Sequence, residues 1–555
     1  MRTTAGVLAP DPDPVVATAD PFEVVGALVG GRQLRIFNGF RSTLDQHLEQ
    51  SASLGEREYI VVGDRTFSFE AHHDIVETVA TALYDRYGVR RGHRVAIAAA
   101  NCAEWIISFW ATMRIGGVAV ALNAWWAGPE LDYAIALTEP AVIIADHERA
   151  TRIDRTAYSS AVVDIERDFG QLERYECGEP LAPPLVDVDD AAIILFTSGT
   201  SGRPKGVVHT HRNVEAYLGM VFYDGVRRAD AAPARDEPDL APPLCQFVTN
   251  PLFHVSGLHG AAIALLVAGV KAVWHVGRFD AGRALAAMER ERCTGWAFVP
   301  TTAWRVVNHP QAMVHDLTCV RNIGGGGAPV STELLRRLAD VFPNAAPNLS
   351  VGYGLTESTA LMTLIAGDEL LAHPGTVGRP LPLVELEIRD EYGAALPVGG
   401  EGEIVTRGSM VMQGYWRDPV ATAAAIDAQG WLHTGDLGSL DADGYLTLVS
   451  RRTDLIIRGG ENVYPAEIEQ CLEAHAAVAE VAVVGLAHED LGQEVAAIVV
   501  PRSGGAIDTA ELTAWLRTRI AYFKVPTQWL VTDEPLPRTA TGKVVRESAR
   551  ARFEQ

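Results

Sequence analysis

Two textures of apolar and polar positions recur along the chain. Ile75, Val79 and Leu83 fall at helical spacing, and Arg94–Ala100 follows as an apolar run of strand length. Cys102–Ile115 returns to a helical pattern, and Val118–Leu122 and Ala141–Ala145 read as further strands. Helices alternating with short apolar strands require crossover connections, and so predict largely parallel sheets. A second series runs from Ala191 to Gly354. It has strands near Val270–Trp274, Trp296–Val299 and Leu349–Gly352, joined by helices near Ala281–Arg292 and Ser331–Val341. After Pro380 the chain changes to short strands with hairpin turns such as Asp441-Ala442-Asp443-Gly444. Beyond Arg451, helices at Pro465–Glu473 and Thr509–Ile520 alternate with strands at Val481–Leu486 and Glu494–Val500. The predicted fold is α/β, in three parts. Residues 1–40 form an N-terminal extension. Residues 41–450 form a large domain of layered, mostly parallel sheets with helices and a short-stranded β subdomain. Residues 451–555 form a small, mobile α+β domain. Pro-rich passages at 178–186 and 231–243 read as loops, the second as a flexible insertion.

At 555 residues the chain exceeds what one ordinary core can serve. Its 47 basic and 70 acidic side chains give a net charge of −23, which argues against nucleic acid as a partner. Against that background the basic island Arg203, Lys205, His209, His211 and Arg212 suits a polyanionic ligand; a solvated helix start is the plainer alternative. The six cysteines are scattered with no C-x-x-C pair, so no zinc site or disulfide framework is expected, and a reducing cytoplasm is. The first twenty residues lack the apolar core of a secretory peptide. The longest apolar segments, Ile106–Leu122 and Gly260–Val276, are interrupted by Arg114 and Lys271 and by glycines, so they read as buried core rather than membrane spans. No short-period repeat is present, and oligomeric state is not legible.

The densest chemistry lies in Thr197-Ser198-Gly199-Thr200-Ser201-Gly202-Arg203-Pro204-Lys205-Gly206, directly after the apolar run Ala191–Phe196. A loop rich in glycine and hydroxyls after a buried strand can turn its amides and hydroxyls toward a phosphate. Its spacing fits neither G-x-x-x-x-G-K-[ST] nor G-x-G-x-x-G. It resembles instead the phosphate loop of the adenylate-forming superfamily, which includes acyl-CoA synthetases.

Further segments resemble that superfamily's motifs in the same order, across roughly Thr43 to Arg546. Asn250-Pro251-Leu252-Phe253-His254-Val255-Ser256-Gly257 matches the segment lining the acyl pocket, with His254 at the gating position. Amino-acid-activating relatives place an Asp there, so its absence implies an acid without an α-amine. Gly324-Gly325-Gly326-Gly327-Ala328-Pro329 and Val351-Gly352-Tyr353-Gly354-Leu355-Thr356-Glu357-Ser358 follow. The resemblance implies an adenine pocket from Gly326, Gly327, Ala328, Pro329, Tyr353 and Gly354. It also implies a phosphate-binding hydroxyl on Thr356 and a Mg²⁺ ligand in Glu357. By the same resemblance Asp436, in Trp431–Gly438, and Arg451 bind ribose, and Gly459-Gly460 borders the pantetheine tunnel. Lys543, in Pro537-Arg538-Thr539-Ala540-Thr541-Gly542-Lys543, becomes the catalytic lysine. Four departures stand out: Thr453 where the hinge is usually Asp or Lys, Ser450 for a common Gly, Ser201 for a common Thr, and Ala124 where many relatives have Pro.

The implied reaction is ATP- and Mg²⁺-dependent activation of a carboxylic acid to acyl-AMP, followed by transfer to coenzyme A. Phe253, Trp296, Phe298 and Trp304 lie in segments expected near the acyl pocket; each reads equally well as core packing, and Trp304 better so. A medium- or long-chain fatty acid is the expected substrate, with an aryl or polycyclic carboxylate as the alternative. Two other readings stay open: an acyl-AMP ligase loading a carrier protein, and a nucleotide-binding pseudoenzyme. Light-emitting oxygenase chemistry is a remote third.

Overall fold

The computed structural model describes residues 20–176, 178, 181–197, 204–231, 243–328, 330–451, 454–458, 461–488, 491–502, 507–520, 522–539 and 542–553. Among these, two large sheets carry the N-terminal part. The first has seven strands, and its core is the parallel set Val142–Ala145, Arg94–Ala98, Val118–Ala121 and Ala191–Thr197. The strand Lys205–Thr210 returns antiparallel beside Ala191–Thr197, and Gly414–Tyr415 adds to it as a short edge. The second sheet has nine strands. Lys271–Trp274, Cys245–Val248, Gly295–Phe298, Asn322–Gly326 and Leu349–Tyr353 run parallel at its centre.

The predicted alternation is borne out closely. Helices Phe69–Tyr87 and Ala103–Arg114 stand where the 3.6-residue spacing puts them. Ala103–Arg114 is buried at every position but Glu104, which explains its lack of a continuous polar face. Gly88, at φ 64°, accommodates the left-handed turn that ends the first helix. No helix among the described residues is long and apolar enough to cross a membrane. One large cluster, including Trp105, Phe109, Trp110 and Leu258, fills the space shared by the two sheets. A second, around Trp296, Phe298 and Phe342, lies under helices Ala281–Arg290 and Thr332–Val341.

Residues 385–451 form a four-stranded antiparallel sheet, the short-stranded subdomain. A five-stranded sheet is built from Ile456 onward, with its own apolar clusters on either side. The N-terminal extension carries more order than expected. Val24–Val29 and Arg32–Phe37 pair as a hairpin, and Phe37 and Phe40 pack into the main core. The 231–243 insertion lies almost wholly outside the described residues, as does Thr453.

Candidate active site

The antiparallel pair Ala191–Thr197 and Lys205–Thr210 sets Thr197 opposite Lys205. The loop joining them, with Ser198, Gly199, Thr200, Ser201 and Gly202, lies outside the described residues. The two strand ends face the turn Thr356–Ser358, which follows the strand Leu349–Tyr353. Thr197 Oγ1 stands 3.5 Å from Glu357 Oε1, and the Tyr415 hydroxyl donates to the same oxygen at 2.9 Å. Lys205 Nζ sits 4.8 Å from the centroid of the Tyr415 ring, a cation–π distance. Burial and the Glu357 carboxylate both push the Tyr415 phenol upward, so it stays a protonated donor.

His209 Nε2 donates to the Thr356 carbonyl at 2.7 Å, bracing the same turn from behind. Burial holds His209 neutral, lowered to about 4. The Thr356 hydroxyl has no protein partner among the described residues, so it is available to a ligand.

A second group of residues gathers around Tyr353 and Asp436. The Tyr353 hydroxyl donates to Asp436 Oδ2 at 2.8 Å, and both residues are buried. Asp436 pairs in register with Arg451 across the antiparallel subdomain. Gly326 and Gly354 admit no side chain. A Cβ on Gly326 would stand 2.5 Å from the Gly352 carbonyl oxygen, and one on Gly354 would stand 1.9 Å from that of Ala360. Gly327 takes φ +76°, so the strand end turns away with Ala328. Bare backbone beside a buried tyrosine is what a flat heterocycle needs. Pro329, Gly459 and Gly460 lie outside the described residues.

The C-terminal part closes this site. Thr301 Oγ1 donates to the Gly542 carbonyl at 3.1 Å, and a Cβ on Gly542 would stand 2.3 Å from that hydroxyl. The lysine loop is thus docked on the large domain through a glycine that only glycine chemistry permits. Thr539 N donates to the Lys543 carbonyl at 2.7 Å, and Arg538 donates to that of Gly542 at 2.8 Å, fixing the loop's shape. Lys543 lies near enough to His254 that its charge adds to burial in lowering the imidazole to about 4. His254 caps a short helix, with Nδ1 3.0 Å from Ser256 Oγ.

Of the aromatics in segments expected near the acyl pocket, the structure takes the core alternative for Trp296, Phe298 and Phe253. Trp296 and Phe298 share one parity of their strand and point into the core under the helices. Phe298 packs directly on Gly325. Phe253 is likewise core, between the two sheets. Ala297, between the two aromatics, is part-exposed, as are Leu361 and Leu364. Trp304 is packing, as expected, with Arg337 over its ring. Tyr415 and Thr301 join the site without having been singled out for it, and His209, read as part of a basic island, is instead a buried neutral brace; their partners are distant in sequence.

The residues present fit a Mg²⁺–nucleotide. Glu357 offers a carboxylate beside a hydroxyl-bearing strand end and a lysine, and Mg²⁺ commonly binds through one carboxylate plus phosphates. Paired sheets, a strand end set against Glu357 and a docked lysine loop define an adenylate-forming enzyme. The chain belongs to the AMP-binding enzyme family: that family's model matches residues 48–416, and the model of its C-terminal domain matches residues 467–543. The protein is an AMP-forming ligase that uses ATP and coenzyme A. It is 35% identical to a feruloyl-CoA synthase of Amycolatopsis sp. over 84% of this chain and 90% of that one. It is 30% identical to a long-chain-fatty-acid–CoA ligase of Bacillus subtilis over 85% and 88%. ATP-bound MatB from Rhodopseudomonas palustris superposes with a TM-score of 0.82 at 30% identity, covering 93% of this chain and 99% of that one.

The closed arrangement carries a pH dependence. Glu473, on the helix Pro465–Glu473, lies near Ser331, the N-cap of Thr332–Val341. Burial, with repulsion from Glu469, raises its carboxyl to about 7, against the pull of Ser331 and Arg538. Undocked and solvated, the group would titrate near 4.5. The closed form therefore holds the extra proton. Its Glu473 contribution is full below about 4.5 and is lost as pH rises through about 7. We expect adenylation to weaken across that window, and Glu473→Gln to flatten the fall. Superimposable wild-type and variant profiles of pyrophosphate release from pH 5 to 8 would contradict this.

Proposed function

We propose that the protein activates a hydrophobic carboxylic acid lacking an α-amine to its acyl-adenylate and passes the acyl group to coenzyme A. The observation that carries this reading is the docked lysine loop. Thr301 holds Gly542, the charge of the adjacent Lys543 reaches His254, and Glu357 meets the strand end at Thr197. In this reading a carboxylate oxygen attacks the α-phosphorus, and the bond to the β-phosphate bridging oxygen breaks. Pyrophosphate leaves. Lys543 and the Thr356 hydroxyl neutralise charge at the α-phosphate, and Lys205 and the loop before it hold the outer phosphates. Mg²⁺ on Glu357 would supply Lewis-acid charge to the phosphates. Tyr353, Gly326, Gly327, Ala328 and Gly354 receive adenine, and Asp436 and Arg451 receive ribose.

The coenzyme A thiolate then attacks the acyl carbonyl, and AMP leaves. For that step residues 451–555 would swing as a unit, withdrawing Lys543 and bringing Gly459-Gly460 to the thiol passage. The fatty and aromatic acids named for the two relatives bracket the substrate class. Acceptor choice is testable directly. With an accepted acid, we expect acyl-CoA by mass spectrometry when coenzyme A is supplied. Acyl transfer to a phosphopantetheinylated carrier protein, with none to coenzyme A, would favour the carrier-loading reading instead.

A further inference from the structure

Between Leu252 and Ala264 the chain is buried except at His254, Ser256 and Gly260, so this segment borders an interior space along one face. From His254 to Gly260 is about 9 Å at helical rise. The segment winds as a π-helical turn over Leu258–Ile263, a geometry that often marks functional positions. Opposite Gly260 stands Tyr217, on the helix His211–Ala231, with its hydroxyl 3.4 Å from where a Cβ on Gly260 would lie. That hydroxyl has no protein partner among the described residues.

Beside it, His259 is fully buried, and neither ring nitrogen has a hydrogen-bond partner. Its ring lies edge-to-face with Tyr217 at 6.1 Å and with His209 at 5.0 Å. A neutral imidazole and a phenol without partners are costly in a core, unless a ligand or water completes them. The space does not open outward past this helix. Gly219, two residues along, is pressed against Phe37 and Phe40, and Phe22 and Tyr223 stack around them.

Resting on the acid-activating reading above, we propose that Tyr217, with His259 behind it, forms a polar end to the acyl channel that selects compact aryl acids carrying a ring hydroxyl. An aromatic ring with a short arm spans the distance from His254 to Gly260, and Gly260 leaves room for the ring edge to reach the Tyr217 hydroxyl. An unbranched alkyl chain would fill the same length but leave the polar groups unpaired. A site built to bond a substrate hydroxyl rejects the analogue without it far more strongly than an apolar pocket can.

The test compares kcat/KM for 4-hydroxycinnamate, cinnamate and octanoate, read as pyrophosphate release, in wild type and Tyr217→Phe. We expect wild type to prefer 4-hydroxycinnamate over cinnamate by about tenfold or more, and Tyr217→Phe to bring that ratio to within about threefold of unity. A melting curve confirms that the variant is folded. If it is not, the wild-type ratio alone decides. A wild-type ratio near one, or an unchanged ratio in folded Tyr217→Phe, overturns the proposal. Release with octanoate but neither ring acid overturns it while leaving acid activation standing, whereas release with none of a broad acid panel removes both.

Discussion

Replacing Lys543 with alanine is expected to lower acyl-adenylate formation by about 10²–10³-fold, the usual loss when one preorganised donor to a developing charge is removed. Thioester formation from supplied acyl-AMP should be much less affected, because that half-reaction follows withdrawal of the lysine. The variant should fold, since the loop is held by backbone bonds. Thr301 and Arg538 both donate to the Gly542 carbonyl, and Thr539 N bonds the Lys543 carbonyl. A second readout is independent of turnover. The Lys543 charge contributes to holding the His254 imidazole near 4, so its removal should move that titration upward in an NMR experiment. Full adenylation by Lys543→Ala would contradict the role assigned here.

Glu357→Gln is the second large effect. The side chain keeps its shape and can still accept from Tyr415, but it loses the charge that a hard dication prefers. Lewis-acid stabilisation supplies several kcal/mol of transition-state stabilisation, so we expect roughly 10²-fold or more loss in pyrophosphate release. A higher Mg²⁺ requirement should accompany it. Tyr415→Phe removes one donor to the same carboxylate and should cost far less. A Glu357→Gln enzyme with wild-type rate and an unchanged magnesium titration would contradict the metal assignment.

Local pattern was the most legible layer of this chain. Helical spacing places Phe69–Tyr87 and Ala103–Arg114, and apolar runs place the parallel strands to within a residue or two. The glycine positions were legible too, because close backbone approach leaves few other residues possible: Gly326 and Gly354 sit against carbonyl oxygens. Contacts between distant segments were not. Tyr415 reaches Glu357 across 58 residues, His209 reaches Thr356 across 147, and Thr301 meets Gly542 across 241. Nothing in local spacing encodes such pairs. The aromatic residues near the acyl site were left open between pocket and core for a related reason. Hydrophobicity alone does not separate a pocket wall from the core behind it; strand parity sends Trp296 and Phe298 to the core and leaves Ala297, on the opposite face, part-exposed. The N-terminal hairpin went unread because its strands bury little, the side chains alternating between exposed and part-exposed until Ile36 and Phe37.

The central claim is acid activation at the Lys543–Glu357 site. Its most direct test is acid-dependent pyrophosphate release with ATP and Mg²⁺, measured across alkyl and aryl carboxylates in wild type and Lys543→Ala. The account predicts release with a subset of acids in wild type and about 10²–10³-fold less in the variant. Release that is independent of added acid, or equal in the two proteins, would contradict it.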